Sequence, residues 1–287
     1  MPRDVLPSVA ILAGGRGERL WPETAERPKP LLPIGGRPVV WHVVEGFSAA
    51  GFGRFVVALG HRGEQVKSAL ADLCRTAGDL DLDFASGTVT GLGRGPDLTM
   101  RLIATGGDAG TGARLKRLAP HLDGPHFLLA YADGLADVDL LGLLARHREG
   151  GAAVTMTVVP RPERFGRVGL DGDRVLAFAE KEAADDDWIN AGFLVVDRAI
   201  LDRMPDDPGL SLERDVLPGL AAEGRLAAFR HRGFWQCMDT PAERARLESL
   251  WASGAPPWRR APDVTSSVRL VSPQRSRASA GRPRRSG

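Results

Sequence analysis

The sequence predicts an α/β protein built on a Rossmann-like, doubly wound sheet, mixed but mainly parallel, with a smaller β-rich part following it. Three observations carry that expectation. Short apolar runs at Val9–Ala13, Phe55–Leu59 and Phe127–Tyr131 read as strands, the first and last of them buried. Stretches with helical spacing of apolar residues separate them, and such an alternation closes as a parallel sheet with helices on both sides. From Ala152 onward the pattern changes to strands joined by turns.

Taken in order, the run Val9-Ala10-Ile11-Leu12-Ala13 stops at Gly14-Gly15-Arg16-Gly17. Pro38 opens a helix with apolar Val40, Val43, Val44 and Phe47, and Gly51 closes it. Phe55–Leu59 is the next strand and Gly63–Cys74 the next helix. Asp79–Asp108 is glycine-rich and irregular, with short strands expected at Leu82–Phe84 and Leu98–Ala104. A helix is expected over Gly112–Leu122, a strand over Phe127–Tyr131 and a helix over Val138–Arg148. Ala153–Val159 is β-like, and Val168–Val175 reads as a hairpin turning at Asp171-Gly172. Strands at Trp188–Val196 and Leu226–Phe229 precede a helix over Pro241–Trp251.

The composition, 43% hydrophobic and 26% charged, is that of a soluble globular protein. No apolar run approaches the ~20 residues of a membrane helix, and Met1-Pro2-Arg3-Asp4 lacks a signal-peptide core. Cys74 and Cys237 are the only cysteines, which excludes a disulfide framework and suits a cytoplasmic location. The net charge of +2 hides an asymmetry: from Arg259 onward there are eight arginines and one acid, leaving 30 basic against 35 acidic residues before them. An acidic body argues against a nucleic-acid partner, and the Ser-, Pro- and Arg-rich tail is expected to be disordered.

The chemistry gathers around the glycine break. Gly14, Gly15 and Gly17 let main-chain N–H groups approach an anion closely, and Arg19 follows within a turn. Lys29 is held between Pro28 and Pro30, whose fixed φ stiffens its loop. A glycine cradle beside a stiffened cation suits a nucleoside triphosphate. A dinucleotide fingerprint would need a glycine three residues after Gly17, where Leu20 stands. Asp133 ends a buried strand, where it could meet Mg²⁺ or simply form an Asp-Gly turn. Asp239 precedes the helix at Pro241, where either it or Thr240 could serve as N-cap. Asp137 and Asp139 have DxD spacing, but N-capping explains them better because a helix follows. Only four of the 38 basic residues are lysines, so Lys29 and Lys181 can mark places that need a compact ammonium.

These motifs resemble the signature of the sugar-phosphate nucleotidylyltransferases, LAGG-x-G-(T/S)-R-L followed by a KPL-type lysine loop. The resemblance covers about residues 8–258 and includes Tyr131-Ala132-Asp133-Gly134, Glu180-Lys181, Ile189-Asn190-Ala191-Gly192-Phe193 and Gly233–Thr240. Pro38–His42, Thr111–Arg117 and Leu250–Trp258 are most similar to the glucose-1-phosphate cytidylyltransferase subfamily. The fold implied is of the nucleotide-diphospho-sugar transferase type. Residues 1–150 would then be the nucleotide-binding part, residues 151–258 the sugar-phosphate-binding and C-terminal part, and residues 259–287 the tail.

The resemblance implies nucleotidyl transfer from CTP to a sugar 1-phosphate, foremost α-D-glucose 1-phosphate, with release of pyrophosphate. It implies a nucleotide site of Leu12, Ala13, Gly14, Gly15, Arg16, Gly17, Lys29, Arg114 and Ala132. Arg19, Lys29 and Lys181 would be catalytic; Glu180, Lys181, Asn190 and Gly192 would hold the sugar phosphate; Asp133 and Asp239 would hold Mg²⁺. A phosphate monoester, with its second pKa near ~6, is already a nucleophile at neutral pH, so no general base is required. A homo-oligomer is expected, with no nucleic-acid or membrane partner. Four positions depart from the family pattern: Glu18, Ala109, Ala132 and Glu182. Two alternatives stand: the same chemistry with UTP, dTTP or another sugar phosphate, and a non-catalytic NDP-sugar sensor.

Overall fold

The computed structural model describes residues 6–75, 80–83, 88–91, 97–161, 167–171, 174–179 and 187–259. Seven strands form one sheet: β1 (Val9–Ala13), β2 (Arg54–Leu59), β3 (Thr99–Ala104), β4 (His126–Tyr131), β5 (Val154–Pro160), β6 (Trp188–Asp197) and β7 (Leu226–Arg230). Their order is β7–β5–β6–β4–β1–β2–β3. Neighbours are parallel except at β6, which runs antiparallel to both β4 and β5, so the sheet is mixed but mainly parallel. Strands from both halves of the chain belong to it.

The uninterrupted apolar runs are explained by burial on two faces. Val9, Ile11 and Ala13 enter one core cluster, with Val57, Leu128, Ala130 and Val195. Ala10 and Leu12 enter the other, with Val56, Phe127, Leu129 and Leu194. Helices α1 (Val39–Ala49), α2 (Gly63–Arg75) and α4 (Leu140–Gly150) pack on the first face, and α3 (Thr111–Leu118) on the second. Fully burying one such Leu, Val or Phe contributes about 1.5–3 kcal/mol before entropy is counted.

Strand order positions the site. From β1 the chain moves outward to β2 and β3, then crosses back to lay β4 on the other side of β1. That reversal makes the carboxyl ends of β1 and β4 a topological switch point, where open α/β sheets bind ligands. The glycine loop follows β1 and Asp133 follows β4.

Several local details differ from expectation. Helix α3 stops at Leu118 and continues as a 3₁₀ turn over Ala119–His121, because Pro120 has no N–H to sustain an α-helix. Helix α4 starts at Leu140, since Asp139 is its N-cap and accepts a hydrogen bond from the Gly142 N–H at 3.0 Å. Asp137 pairs with His231 Nε2 at 3.0 Å. The hairpin forms from Arg167–Asp171 and Arg174–Ala179. Short helices α5 (Ala199–Arg203) and α6 (Leu217–Ala222), a π-turn at Leu212–Val216 and helix α7 (Pro241–Ala252) complete the order; of these, only α7 was expected. Among the described residues no helix is long and apolar enough to cross a membrane. The tail from residue 260 lies outside the described residues.

Candidate active site

A cleft of about 600 Å³ opens over the carboxyl ends of β1 and β4. Its walls include Leu12, Ala13, Gly14, Gly15, Arg16 and Gly17, together with Arg19, Lys29, Arg114, Ala132, Asp133 and Asp239. A second hollow of about 380 Å³ lies beside it, lined by Asn190, Ala191, Gly192, Trp235 and Cys237. The two share Arg19, Lys29, Tyr131, Asp133 and Asp239, so these charges stand where the compartments meet. Every residue expected in the site borders one of these spaces except Glu180 and Lys181, which lie outside the described residues, as does Glu182.

The glycine loop is shaped by two close approaches. Gly17 adopts φ +69°, and a Cβ there would sit 3.0 Å from Lys29 Cβ, so the bare backbone lets the lysine loop pack against it. A Cβ on Gly14 or Gly60 would fall inside the Arg114 guanidinium. Among the described residues, the N–H groups of Gly15, Arg16 and Gly17 make no main-chain hydrogen bond. At the mouth, Arg16 reaches Asp108 at 2.5 Å, and that hydrogen bond and charge hold the Asp108 carboxyl below the usual carboxylate range.

Arg114 is built into the wall. Buried on α3, it donates to the carbonyls of Gly14 (3.1 Å), Gly106 (2.7 Å), Gly107 (3.0 Å) and Leu59 (3.4 Å), and to Thr105 Oγ1 at 3.0 Å. Its planar fork thus ties the ends of β1, β2 and β3 together. Burial, then Arg117, hold its pKa below the ordinary value.

The two acids meet through a short ladder. Gly134–Ala136 pairs antiparallel with Trp235–Cys237, Gly134 opposite Cys237, and the Met238 N–H donates to the Asp133 carbonyl at 3.0 Å. This register sets Asp133 and Asp239 side by side. The cap question at α7 is settled by Thr240, whose hydroxyl accepts from the Glu243 N–H, while Glu243 accepts from the Thr240 N–H as a capping box. The Asp239 carboxylate is therefore left to face the cleft.

Lys29 lies between the acids. Its ammonium pairs with Asp133 Oδ2 and donates to Asp239 Oδ1 at 2.5 Å, and Arg19 pairs with Asp239 Oδ2 at 3.0 Å. Burial pushes the Asp239 carboxyl up, but the hydrogen bond and charge of Lys29, with Arg19, outweigh it and hold the group below its usual range. For Lys29, burial acts downward, and Asp133 and Asp239 overcome it to raise the pKa. The ammonium marks a cation-sized position between two carboxylates that border the open cleft. That donor set suits a hard divalent cation taking one or two carboxylates plus phosphate and water oxygens.

Four side chains of the wall, Tyr131, Glu213, Thr111 and Ser211, were not found by sequence reasoning. Tyr131, the only tyrosine in the chain, donates its hydroxyl to Glu213 Oε1. Thr111 (2.5 Å) and Ser211 (3.0 Å) donate to Glu213 Oε2, making this carboxylate a hub joining β4, α3 and the π-turn. Burial, then Glu213, push the tyrosine pKa up, so the phenol stays a donor. A lone tyrosine next to Ala132-Asp133 was the available signal; Glu213 lay in a stretch with no periodic pattern. Behind Tyr131, Gly192 has φ +85°, and its N–H donates to Asn190 Oδ1 at 2.8 Å. Burial, then Glu243 and Asp239, push the Cys237 thiol up to about 12.

The sequence pattern of the nucleotidyl transferase family matches residues 8–241. The glucose-1-phosphate cytidylyltransferase of Salmonella typhi is 36% identical over 251 residues, spanning 87% of this chain and 97% of that protein. A probable glucose-1-phosphate cytidylyltransferase of Bacillus subtilis (strain 168) is 34% identical over 249 residues, spanning 87% and 98%. In fold, the chain is similar to HddC from Yersinia pseudotuberculosis, with a TM-score of 0.65, 20% identity, and coverage of 86% of this chain and 100% of that one.

Proposed function

The chain belongs to the nucleotidyl transferase family and is a nucleotidyltransferase; from that premise we propose that it joins CTP to α-D-glucose 1-phosphate. The observation supporting this reading is the pair of adjoining compartments whose shared wall carries Arg19, Lys29, Asp133 and Asp239. The larger compartment would take the nucleotide, lined mainly by residues 1–150, and the smaller the sugar phosphate, where residues 151–258 join Arg19, Lys29, Tyr131 and Asp133. A phosphate oxygen of the sugar 1-phosphate attacks the α-phosphorus; that O–P bond forms as the bond to the β-phosphate bridging oxygen breaks, and pyrophosphate leaves.

Catalysis then reduces to charge and alignment. The N–H groups of the glycine loop and the exposed Arg19 would hold the triphosphate, and Lys29 would set the spacing of the two acids. Asn190 and Gly192 would border the sugar, with Glu180 and Lys181 gripping its hydroxyls and phosphate. Asp133 and Asp239 would hold Mg²⁺, which when bound supplies positive charge to phosphate oxygens of both substrates. A homo-oligomeric state and a cytoplasmic location complete the proposal.

Pyrophosphate release from Mg²⁺, glucose 1-phosphate and each of CTP, UTP, dTTP and GTP is the direct test. CTP should lead by at least ~10-fold in kcat/KM, about 1.4 kcal/mol of discrimination. Preference for UTP or dTTP would overturn the donor assignment while leaving the transfer chemistry in place. Asp133→Asn and Asp239→Asn should each abolish turnover in a folded protein, and activity like that of the unmodified chain would remove that residue from the metal site.

A further inference from the structure

Three ligand-type side chains meet at the other end of the sheet. His126 begins β4 and Asp197 ends β6, and the two are direct cross-strand partners. His147, in the last turn of α4, packs over them, and one ligand atom from each residue lies within 4.8 Å of the others. Asp133 follows the opposite end of β4. Tyr131 lies five positions along the strand from His126, about 17 Å away, so this cluster is remote from the cleft.

We propose that His126, His147 and Asp197 form a binding site for a divalent transition-metal ion of the zinc class. Imidazole and carboxylate are the donors such ions take, at about 2.0–2.2 Å, and three protein ligands leave a further position for water. His147 Nε2 already stands 3.1 Å from Asp197 Oδ1, close to a ligand–ligand separation around one ion. Two of the ligands are set by sheet register. The third is oriented from behind, where His147 Nδ1 shares a hydrogen bond with buried Thr155 Oγ1 at 3.0 Å, the kind of outer contact that fixes a ligating imidazole. The carboxyl end of α4 also favours a cation nearby. Arg148, whose Nε donates to His126 Nε2 at 3.3 Å, competes for that nitrogen.

The test uses untagged, chelator-treated full-length protein in excess Mg²⁺, which on the function proposed above competes for the cleft carboxylates, with Zn²⁺ followed by competition against a chromophoric chelator. One equivalent should bind and raise Tm by about 5 °C or more at hundredfold excess over Kd. His126→Gln and Asp197→Asn, chosen because neither is fully buried, should each weaken binding at least tenfold with unchanged circular dichroism. Thr155→Val should weaken it by about tenfold. Arg148→Ala should tighten it. No Zn²⁺ bound beyond the Mg²⁺-blocked cleft, or unchanged affinity in both ligand variants, would overturn the site; pyrophosphate release is untouched by either result.

Discussion

Lys29→Met removes the ammonium on which Asp133 and Asp239 converge while keeping an unbranched side chain of similar length. Two charge-assisted contacts go with it, each about 1.5–3 kcal/mol. The acids are 24% and 25% exposed at their side chains, so solvent screening favours the lower figure, about 3 kcal/mol in total. At about 2–4 °C per kcal/mol for a chain of this size, Tm should fall by about 6–12 °C. The variant leaves two carboxylates facing one another, so Mg²⁺ should restore more of its Tm than it adds to the unmodified protein. The pH dependence has two limbs. Asp239, held below its ordinary 3.8, contributes stability present above that value and lost as pH falls through its lower folded value. Lys29, held above its ordinary 10.5, contributes stability present below that value and lost as pH rises through its higher folded value. The stability difference between the two proteins should therefore be flat from about pH 5 to 9 and shrink on either side. Calorimetry and urea titration, with and without Mg²⁺, measure all of this. A Tm change under 2 °C, or equal Mg²⁺ responses, refutes the reasoning.

Lys29→Arg keeps the charge, but a broad guanidinium cannot occupy the gap between the acids against Gly17; kcat/KM for CTP should drop roughly 10- to 100-fold, about 1.4–2.7 kcal/mol, by steady-state kinetics. Gly14→Ala drives a methyl into the Arg114 guanidinium, so the arginine must leave several carbonyls; urea melts should show a loss of about 2–4 kcal/mol, and KM for the nucleotide should rise. Glu213→Gln replaces an acceptor oxygen with an NH₂ facing hydroxyl donors, costing about 1–3 kcal/mol by denaturant titration, with a larger loss when Tyr131→Phe is absent than when it is present.

The sequence alone determined what short-range physics controls. Val9–Ala13 and Phe127–Tyr131 are apolar at every position because both faces of a central strand are buried, and that pattern survives in one dimension. The glycines of residues 14–17 and the prolines around Lys29 are equally local, since each acts on its own φ or on the residue beside it. Family resemblance carried the site further than periodicity could, naming Asp133 and Asp239 although 106 positions separate them. Only the tertiary structure decided how those groups meet. The ladder joining Gly134–Ala136 to Trp235–Cys237 is too short to carry a period-2 signal, yet its register is what aligns the two acids. Thr240 rather than Asp239 caps α7, a choice between adjacent capping residues that depends on where Lys29 and Arg19 sit. The resemblance implies Arg114 as a nucleotide-site residue, but that packing surrounds its guanidinium with carbonyls is decided by the tertiary structure; the hub at Glu213 and the pairing of His126 with Asp197 arise the same way. Each joins residues from separate elements, and contacts of that kind come from strand order and helix packing, which no local stretch of residues encodes.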